Sequence, residues 1–355
     1  MTRRVRRESI VDRRVLFSVL AVSVAAGLVL GALHVVEFAL SPYRRLPANG
    51  MIGDQRYTWG HLVENNRLGF RERDFDSLKP PGTYRVMVLG DSFTWGVGLA
   101  PDERYTAVAE RLLNSASADR VFEVLNFGVP GIPTTTERDI LDQYRAVVDP
   151  DRIVVGFCIN DPQPLYMAWS SERQRLAESA AGHAVRGGQM LLRALGVPWI
   201  AGLPGKAFYG IAEWAGWIPV WQVALQRAYG TSSDEWADFL QALRDIKSAS
   251  DASGLPPPIF VVLNSGRDSS DFRRPPAYLQ QDLAWSRQAE EAARGIGFVA
   301  YNHEHEIPRQ IPSESLRVNS GSGHPSAGLH RVYGEKLYRK VIEAVEAGEP
   351  FRRSG

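Results

Sequence analysis

Residues 84–96 read YRVMVLGDSFTWG, an apolar run that ends at Gly90 and is followed at once by Asp91 and Ser92. A short apolar run bounded by turn residues predicts a strand buried on both faces. Such strands are typical of parallel sheets covered by helices, and ligands bind at the carboxyl ends of their strands. The stretch therefore predicts an α/β fold with a functional group placed directly after its first strand.

Four further apolar runs continue this pattern along the chain. They are residues 121–125, 152–157, 259–263 and 298–301. Helical patterns accompany them at residues 103–115, 134–147, 233–251, 278–294 and 327–347. Strands that alternate with helices in this way predict βαβ units and a parallel sheet.

The N-terminal region predicts a membrane anchor. Residues 15–36 carry no formal charge, and about 22 helical residues at about 1.5 Å each span a hydrocarbon core. Only Arg44 and Arg45 follow this run closely, whereas a cluster of arginines precedes it. The cluster comprises Arg3, Arg4, Arg6, Arg7, Arg13 and Arg14. The positive-inside bias then places the N-terminus in the cytoplasm and the remaining chain on the extracytoplasmic, periplasmic side, as a single-pass membrane protein.

A cleaved export signal is the alternative for this region. Arg13 and Arg14 before the apolar run loosely resemble a twin-arginine signal. The run is longer than the 7–15 apolar residues typical of a signal peptide, and no clear A-x-A cleavage site follows it. We therefore favour the uncleaved anchor.

The expected organisation has four parts and one insertion. Residues 1–14 form a basic cytoplasmic tail, 15–40 the transmembrane anchor, 41–81 a linker and lead-in, and 82–347 the α/β domain. Residues 162–230 interrupt the strand–helix alternation as an insertion rich in tryptophan: Trp169, Trp199, Trp214, Trp217 and Trp221. Three interpretations of these tryptophans stay open: the core of a subdomain, a lid over the site, or contact with the bilayer.

Composition excludes several functional classes. A formal net charge of +1 gives the chain no electrostatic reason to bind nucleic acid. The single cysteine, Cys158, excludes an intramolecular disulfide and a multi-cysteine zinc site, and its apolar neighbours predict a buried side chain. His303 and His305 could share one face of a strand, but no further ligand cluster converges on them in sequence, so we expect a surface loop with neither a metal nor a cofactor.

Four short blocks predict a site for acyl transfer. Ser92 follows the first strand, Gly131 ends the NFGVPG segment after the second, Asn160 follows the third, and His324 lies in GHPS before the last helix. A serine hydroxyl becomes an effective nucleophile when an imidazole takes its proton, which assigns Ser92 and His324 as nucleophile and base. The backbone N–H groups of Ser92 and Gly131 and the side-chain amide of Asn160 are candidate donors to an oxyanion.

Two aspartates flank these candidate residues. Asp91 comes directly before Ser92, and Asp161 comes directly after Asn160. Aspartate side chains commonly hydrogen-bond nearby backbone groups in turns. We therefore expect Asp91 and Asp161 to hold the turns at the strand ends in place.

These blocks, GDSFTWGVG, NFGVPG, IND and GHPS, resemble in order and spacing those of the SGNH (GDSL-type) hydrolase superfamily. The upstream segments NRLGFRERDF and KPPGTYRVMVLGDSFTWG resemble the lead-in of its membrane-tethered members. The resemblance covers roughly residues 60–160 and 255–345. It implies a flavodoxin-like three-layer α/β/α sandwich and assigns the four signature roles to Ser92, Gly131, Asn160 and His324. No G-x-S-x-G elbow is present, which argues against an α/β-hydrolase.

The sequence departs from the family's pattern at the triad acid. Members of the superfamily usually place an aspartate two or three residues before the histidine, where this chain has Ser322 and Gly321. A dyad held by Ser322 or by a backbone carbonyl is one account. A carboxylate from elsewhere is a second, and loss of catalysis is a third. The nearest carboxylates that precede His324 in sequence are Glu304, Glu306 and Glu314.

The resemblance implies hydrolysis of carboxylic esters through an acyl intermediate on Ser92, with His324 acting first as base and then as acid. An ester-bearing small molecule, glycan or lipid would be the substrate. Two alternatives stay open. One is an O-acyltransferase that acts on an envelope polysaccharide, and the other is a catalytically impaired protein that binds carbohydrate or lipid.

Overall fold

The computed structural model describes residues 13–41, 47–162, 170–218, 221–263, 276–303, 316–319 and 322–346. The chain forms two compact units, one from Met1–Arg45 with Gln174–Ile218 and the other from Leu46–Arg173 with Pro219–Gly355.

The secondary structure of the described residues is as follows. The strands are β1 (Gly50–Ile52), β2 (Gln55–Thr58), β3 (His61–Leu62), β4 (Thr83–Gly90), β5 (Val121–Gly128), β6 (Arg152–Phe157), β7 (Ile259–Val262), β8 (Val299–Asn302), β9 (Arg317–Asn319) and β10 (Ser322–Pro325). The helices are α1 (Arg13–Leu40), α2 (Ser92–Trp95), α3 (Tyr105–Ala116), α4 (Thr134–Val148), α5 (Ser170–Glu178), α6 (Ala180–Ala194), α7 (Pro198–Trp214), α8 (Trp221–Ala228), α9 (Asp234–Ala252), α10 (Pro276–Ile296) and α11 (Ala327–Glu346).

A five-stranded parallel sheet forms the centre of the second unit. Its strand order is β5-β4-β6-β7-β8, the flavodoxin-like arrangement that the sequence predicted. After β4 the chain adds β5 on one side and then β6 on the other. The crevice for a ligand is therefore expected beside the carboxyl end of β4.

Helices cover both faces of this sheet because successive residues of its strands point to opposite sides. In β4, Tyr84, Val86 and Val88 pack with α3 and α11, whereas Met87 and Leu89 pack with α4, α9 and α10. All eight residues of β4 are buried, including Arg85, and burial on both faces explains the apolar run at residues 86–89. The predicted three-layer α/β/α sandwich is confirmed.

Three glycines at the carboxyl edge of the sheet let the chain cross directly above it. Gly90 pairs in register with Gly128 on one side and with Gly156 on the other. A Cβ on Gly90 or Gly156 would collide with Oγ1 of Thr94, and one on Gly128 would collide with the backbone N of Trp95. The missing side chains thus create the space in which α2 begins with Ser92.

The segment before β4 packs against the core of the second unit rather than extending as a linker. Strands β1, β2 and β3 form a small antiparallel sheet. Farther along, Phe70 and Phe75 join the hydrophobic cluster on the α4 side of the main sheet. Lys79 is buried too, with its Nζ 2.8 Å from Oδ1 of Asp151. The lead-in therefore forms part of the folded unit.

The first unit combines α1 with α6 and α7 of the insertion. Residues Phe17–Leu40 of α1 have a mean hydropathy of 2.4 and are not buried by the rest of the chain, so this helix is a candidate membrane span or signal sequence by length and composition. Trp214 is 87% exposed and Trp217 is 64% exposed. The subdomain-core interpretation is therefore wrong for these two tryptophans. Trp169 lies outside the described residues, as does the side chain of Trp221.

Candidate active site

Ser92 is the first residue of α2, immediately after the carboxyl end of β4. Asp91 caps this short helix, because its Oδ1 accepts a hydrogen bond from the backbone N–H of Phe93 at 2.8 Å. The other oxygen, Oδ2, accepts a hydrogen bond from the hydroxyl of Ser92 at 3.3 Å. The expected role of Asp91 in holding the turn is thus confirmed, and this carboxylate also contacts the candidate nucleophile.

Asn160 and Gly131 lie on the loops that follow the two neighbouring strands. The side-chain amide of Asn160 donates to Oδ2 of Asp91 at 3.1 Å, so a single carboxylate oxygen accepts from both Asn160 and Ser92. Gly131 is buried and has φ of 80°, a conformation that favours glycine. The structure therefore brings Ser92 and Asn160 together through Asp91.

Backbone hydrogen bonds tie these loops to one another. The N–H of Val129 donates to the carbonyl of Gly90 at 2.9 Å, which joins the ends of β5 and β4. The N–H of Thr134 donates to the carbonyl of Asp161 at 3.2 Å, which joins the loops after β5 and β6. Oδ2 of Asp161 also accepts from the N–H of Cys158 at 3.1 Å, as expected for a residue that fixes its own turn. The candidate oxyanion donors thus rest on cross-linked loops.

His324 lies on β10, three residues before the first residue of α11. Strand β10 pairs with β9 as a short antiparallel hairpin, and the ring centroid of His324 lies 5.5 Å from that of Phe93. The histidine is therefore close to the residue that follows Ser92. Among the described residues, no direct hydrogen bond joins the Ser92 hydroxyl to His324, since that hydroxyl donates to Asp91.

Ser322 is the hydrogen-bond partner of the imidazole. Its Oγ lies 2.9 Å from Nδ1 of His324 and also accepts from the backbone N–H of His324 at 3.3 Å. Burial lowers the pKa of His324 to about 4. This ring is consequently neutral across the physiological pH range. With Nδ1–H donated to Ser322, its Nε2 carries the free lone pair that a base requires.

Comparison with known proteins identifies the family. The model of the GDSL-like Lipase/Acylhydrolase family matches residues 88–332, more than half of the chain. The protein belongs to this family. It is accordingly an ester-cleaving hydrolase. No curated protein matches the sequence.

Solved structures similar to this GDSL hydrolase include three esterases or lipases. The acetylxylan esterase Axe2 from Geobacillus stearothermophilus is 13% identical, with a TM-score of 0.42 over 73% of this chain and 94% of that chain. The family 3 carbohydrate esterase of Clostridium thermocellum is 13% identical, with a TM-score of 0.40 over 76% of this chain and 100% of that chain. The lipase/acylhydrolase from Enterococcus faecalis is 12% identical, with a TM-score of 0.40 over 73% of this chain and 96% of that chain.

Ser322 occupies one of the two positions where GDSL hydrolases usually carry the triad aspartate. The other, Gly321, lies outside the described residues, as do Glu304, Glu306 and Glu314. Within the described part of the chain, no carboxylate raises the pKa of His324, and burial alone accounts for its shift. A dyad supported by Ser322 is therefore the account that the described contacts favour.

Buried carboxyl groups lie beneath the loops of the site. Burial raises the pKa of Asp91, and hydrogen bonds from Phe93, Asn160 and Ser92 oppose that shift. Burial raises the pKa of Asp161 well above its usual range, as does the negative charge of Glu137. Burial also raises the pKa of Glu137, helped by the negative charge of Asp91. The pKa values of Asp161 and Glu137 are therefore both shifted upward by burial, and Asp91 is the most extensively hydrogen-bonded of the three.

Three residues that support the site were not among those predicted from the sequence. The guanidinium of Arg71 donates to the carbonyls of Gly96 at 2.8 Å and Leu99 at 2.6 Å, which steadies the chain just after α2. The hydroxyl of Tyr229 donates to the carbonyl of Ile159 at 2.8 Å, next to Asn160. Nδ1 of His330 accepts from the backbone N–H of Tyr105. Arg71 lies in the lead-in motif and so had a sequence signal, whereas Tyr229 and His330 had none.

The His303 and His305 pair does not form a described metal site. His303 is buried, and its Nδ1 lies 3.0 Å from the carbonyl of Val262, whereas the sequence predicted a surface loop. A buried position directly after β8 explains the difference, because the ring centroid of His303 lies 4.6 Å from that of Tyr333. His305 lies outside the described residues, among which no cluster suited to a metal ion occurs.

Proposed function

We propose that this GDSL hydrolase cleaves carboxylic esters through an acyl intermediate on Ser92. The observation that carries the proposal is the shared oxygen of Asp91, which holds the hydroxyl of Ser92 and the amide of Asn160 within hydrogen-bond reach of one atom. A nucleophile and an oxyanion donor must stand this close to act on the same carbonyl group. The buried Gly131 loop, tied to the same strand ends, would supply a further N–H donor.

The chemical steps follow from the contacts of His324. In the first step, Ser92 turns from Asp91 toward Nε2 of His324, which takes its proton while Oγ attacks the ester carbonyl. The amide of Asn160 and the N–H groups of Gly131 and Ser92 stabilise the negative oxygen of the tetrahedral intermediate. The imidazolium returns the proton to the leaving alcohol, and water then releases the acyl group by the same route.

We also propose that the protein is anchored in the membrane with its α/β domain outside the cytoplasm. Helix α1 serves as an uncleaved anchor, because its apolar run is longer than that of a typical signal peptide and the arginine cluster lies before it. Residues 1–14 then lie in the cytoplasm, 15–40 in the membrane, and 82–347 with the 162–230 insertion on the extracytoplasmic side. The substrates there would be ester-bearing small molecules, glycans or lipids.

Hydrolysis of p-nitrophenyl acetate and butyrate by the full chain in detergent tests the chemistry, with Ser92→Ala and His324→Ala measured in parallel. We expect both variants to lose activity and the native chain to be labelled covalently by a fluorophosphonate at Ser92. Equal rates in all three proteins, without labelling, would contradict the acyl-serine mechanism. Adding sugar acceptors to the assay separates hydrolysis from acyl transfer, since a transferase would form the sugar ester at the expense of free acid.

A further inference from the structure

A carboxylate near the end of the candidate membrane span accepts hydrogen bonds from another helix. Glu37 lies three residues before the end of α1, and its two oxygens accept hydrogen bonds from the backbone N–H groups of Trp199 and Ile200, each at 2.9 Å. These N–H groups belong to the first turn of α7, where they have no partner within their own helix. A negative charge is also favoured at this end of a helix.

This contact fixes the start of α7 at the level of the end of α1. Three helical residues correspond to about 4.5 Å along the axis, so Glu37 lies within one turn of the end of the span. A buried carboxylate in hydrocarbon would be costly without partners, and the N-terminus of α7 supplies two of them. Helix α7 therefore begins close to where the hydrocarbon meets the lipid headgroups, if α1 spans the bilayer as proposed above.

Helices α6 and α7 form a hairpin that leaves a set of large apolar side chains exposed. In α7, Leu203, Ile211 and Trp214 fall within an arc of about 80° at 100° per residue. The exposed residues on the hairpin, which we call the apolar face, are Met190, Leu191, Leu195, Leu203, Ile211, Trp214 and Trp217. Seven large apolar side chains exposed on one short hairpin indicate an interaction site.

The charges of the hairpin indicate what covers this face. Residues 180–216 contain three cations, Arg186, Arg193 and Lys206, and one anion, Glu213. An amphipathic element with basic residues on its polar side and tryptophan among its apolar residues is suited to the interface of a bilayer with anionic lipids. The hairpin also belongs to the same compact unit as α1, and α7 is hydrogen-bonded to Glu37 of that helix, which can itself cross a bilayer by length and composition.

We propose that the α6–α7 hairpin lies in the outer interface of the membrane, with its apolar face inserted among the headgroups and upper acyl chains of anionic lipid. The inference rests on the anchor role of α1 in the proposed function. It assigns the insertion a lipid-binding role that is independent of the reaction at Ser92. Glu37 acts as the link that sets the depth of the hairpin.

Site-specific fluorescence in the full chain tests this placement. Cys158 is buried and burial raises the pKa of its thiol, so a thiol-reactive fluorophore will label introduced cysteines selectively. Trp214→Cys and Trp217→Cys, labelled with an environment-sensitive dye, are reconstituted in vesicles of phosphatidylcholine and phosphatidylglycerol. Quenching by lipids brominated near the headgroup is then compared with quenching by aqueous iodide.

Two control positions for the fluorophore distinguish the possible outcomes. Val22→Cys reports on α1 itself, because this side chain is 69% exposed within the span, and Ser115→Cys reports on an exposed polar position of the other unit. We expect strong quenching by brominated lipid at positions 22, 214 and 217, and by iodide alone at position 115. Suppose that brominated lipid quenches the dye at position 22, whereas the dyes at positions 214 and 217 are quenched by iodide or not at all. This result would overturn the hairpin proposal and leave the anchor in place. Absence of lipid quenching at 22 would overturn the anchor as well.

The link is tested by Glu37→Ala in the Trp214→Cys background. Loss of both hydrogen bonds to α7 should reduce lipid quenching at position 214 several-fold while leaving hydrolysis of p-nitrophenyl acetate unchanged, since Glu37 takes no part in the proposed chemistry. Unchanged quenching would show that Glu37 does not set the depth of the hairpin and would overturn that role.

Discussion

The hydroxyl oxygen of Ser322 lies 2.9 Å from Nδ1 of His324, where a carboxylate usually stands in GDSL hydrolases. The hydroxyl can hold the ring in one orientation and accept a hydrogen bond from Nδ1–H. It carries no charge, however, so it stabilises the imidazolium that forms when His324 takes the proton of Ser92 less than a carboxylate would. Orientation and charge stabilisation, which one aspartate would combine, are thereby separated in this protein.

Substitution of Ser322 separates those two effects. Ser322→Ala removes the partner of Nδ1, and a hydrogen bond worth about 1 kcal/mol corresponds to a roughly fivefold loss of kcat/KM. Ser322→Thr retains the hydroxyl and should stay near the native rate. Ser322→Asp adds a negative charge and should raise kcat/KM at pH 8. A rate for Ser322→Ala equal to that of the native protein would show that the Ser322 contact plays no part in catalysis.

The pH dependence of kcat/KM should report the buried imidazole directly. A base must be neutral to act, and burial lowers the pKa of His324 to about 4, so the rate should stay level from pH 8 down to about 5 and fall below 4. In Ser322→Asp the nearby negative charge should move this limb upward by about 1–3 pH units. An acid limb near 6.5 in the native protein would contradict the assignment.

A stability control is needed in the same pH range because of His330. Burial lowers its pKa to about 3, while the unfolded chain takes up the proton near 6.5. The unfolded state thus binds more protons between these values, and the free energy of unfolding falls as the pH falls through this window. Samples held at each pH and then assayed at pH 7 separate reversible loss of rate from unfolding.

The loop that presents Asn160 should respond to removal of a single hydroxyl. Tyr229→Phe leaves the carbonyl of Ile159 without its 2.8 Å partner and should lower kcat about fivefold with little change in KM. Asn160→Ala removes the proposed oxyanion donor itself and should cost about 10²–10³ in kcat. Once Asn160 is gone, adding Tyr229→Phe should cause little further loss, because the residue acts through the loop.

A tyrosine on the lead-in supplies the matched control for this series. The hydroxyl of Tyr57 donates to the side chain of Gln55, away from the loop of Asn160. Tyr57→Phe should therefore leave kcat unchanged. Equal losses in Tyr57→Phe and Tyr229→Phe, or fully additive losses for Tyr229 and Asn160, would argue for a general effect on folding instead.

The glycines under α2 should resist even a methyl group. A Cβ on Gly156 would lie 2.6 Å from the hydroxyl of Tyr105 and would collide with Oγ1 of Thr94, so Gly156→Ala should lower the free energy of unfolding by about 1–3 kcal/mol. Gly295 lies in α10 with no atom within 4 Å of its Cβ position, so Gly295→Ala should stabilise by about 0.5–1 kcal/mol. Thermal unfolding followed by near-ultraviolet circular dichroism compares the two. Similar midpoints would contradict the packing argument.

The central strands of the main sheet, β4, β6 and β7, were predictable because they are buried on both faces and their residues are therefore mostly apolar. β6 begins and ends at the predicted residues, Arg152 and Phe157. β5 extends three residues beyond its prediction, since Asn126 continues the strand with its side chain buried. Its amide donates to the carbonyl of Thr94 at 2.6 Å, a long-range contact that no local pattern reveals.

The site was predictable as a set of residue types at strand ends, whereas its supporting contacts were not. The sequence left open which group takes the place of the triad acid. Ser322 could not be chosen because a Ser- and Gly-rich segment has no periodicity that would predict the β9–β10 hairpin. The sequence also left open whether Trp214 is buried or exposed, since an apolar helix face has the same pattern whether protein or lipid covers it. The assignments of Ser92, Gly131, Asn160 and His324 stay predictions until the variants are measured.

The pairing of α3 with α11 has a consequence for biosynthesis. The backbone N–H of Tyr105 reaches His330, so elements about 225 residues apart in sequence close the layer on one face of the sheet. A chain made from its N-terminus folds domains in the order of synthesis, and contacts this distant form late. The proposed nucleophile and oxyanion loops can assemble while the segment with His324 is still being made. The nascent chain would thus remain without its base, and unable to attack esters near the ribosome or translocon, until α11 docks.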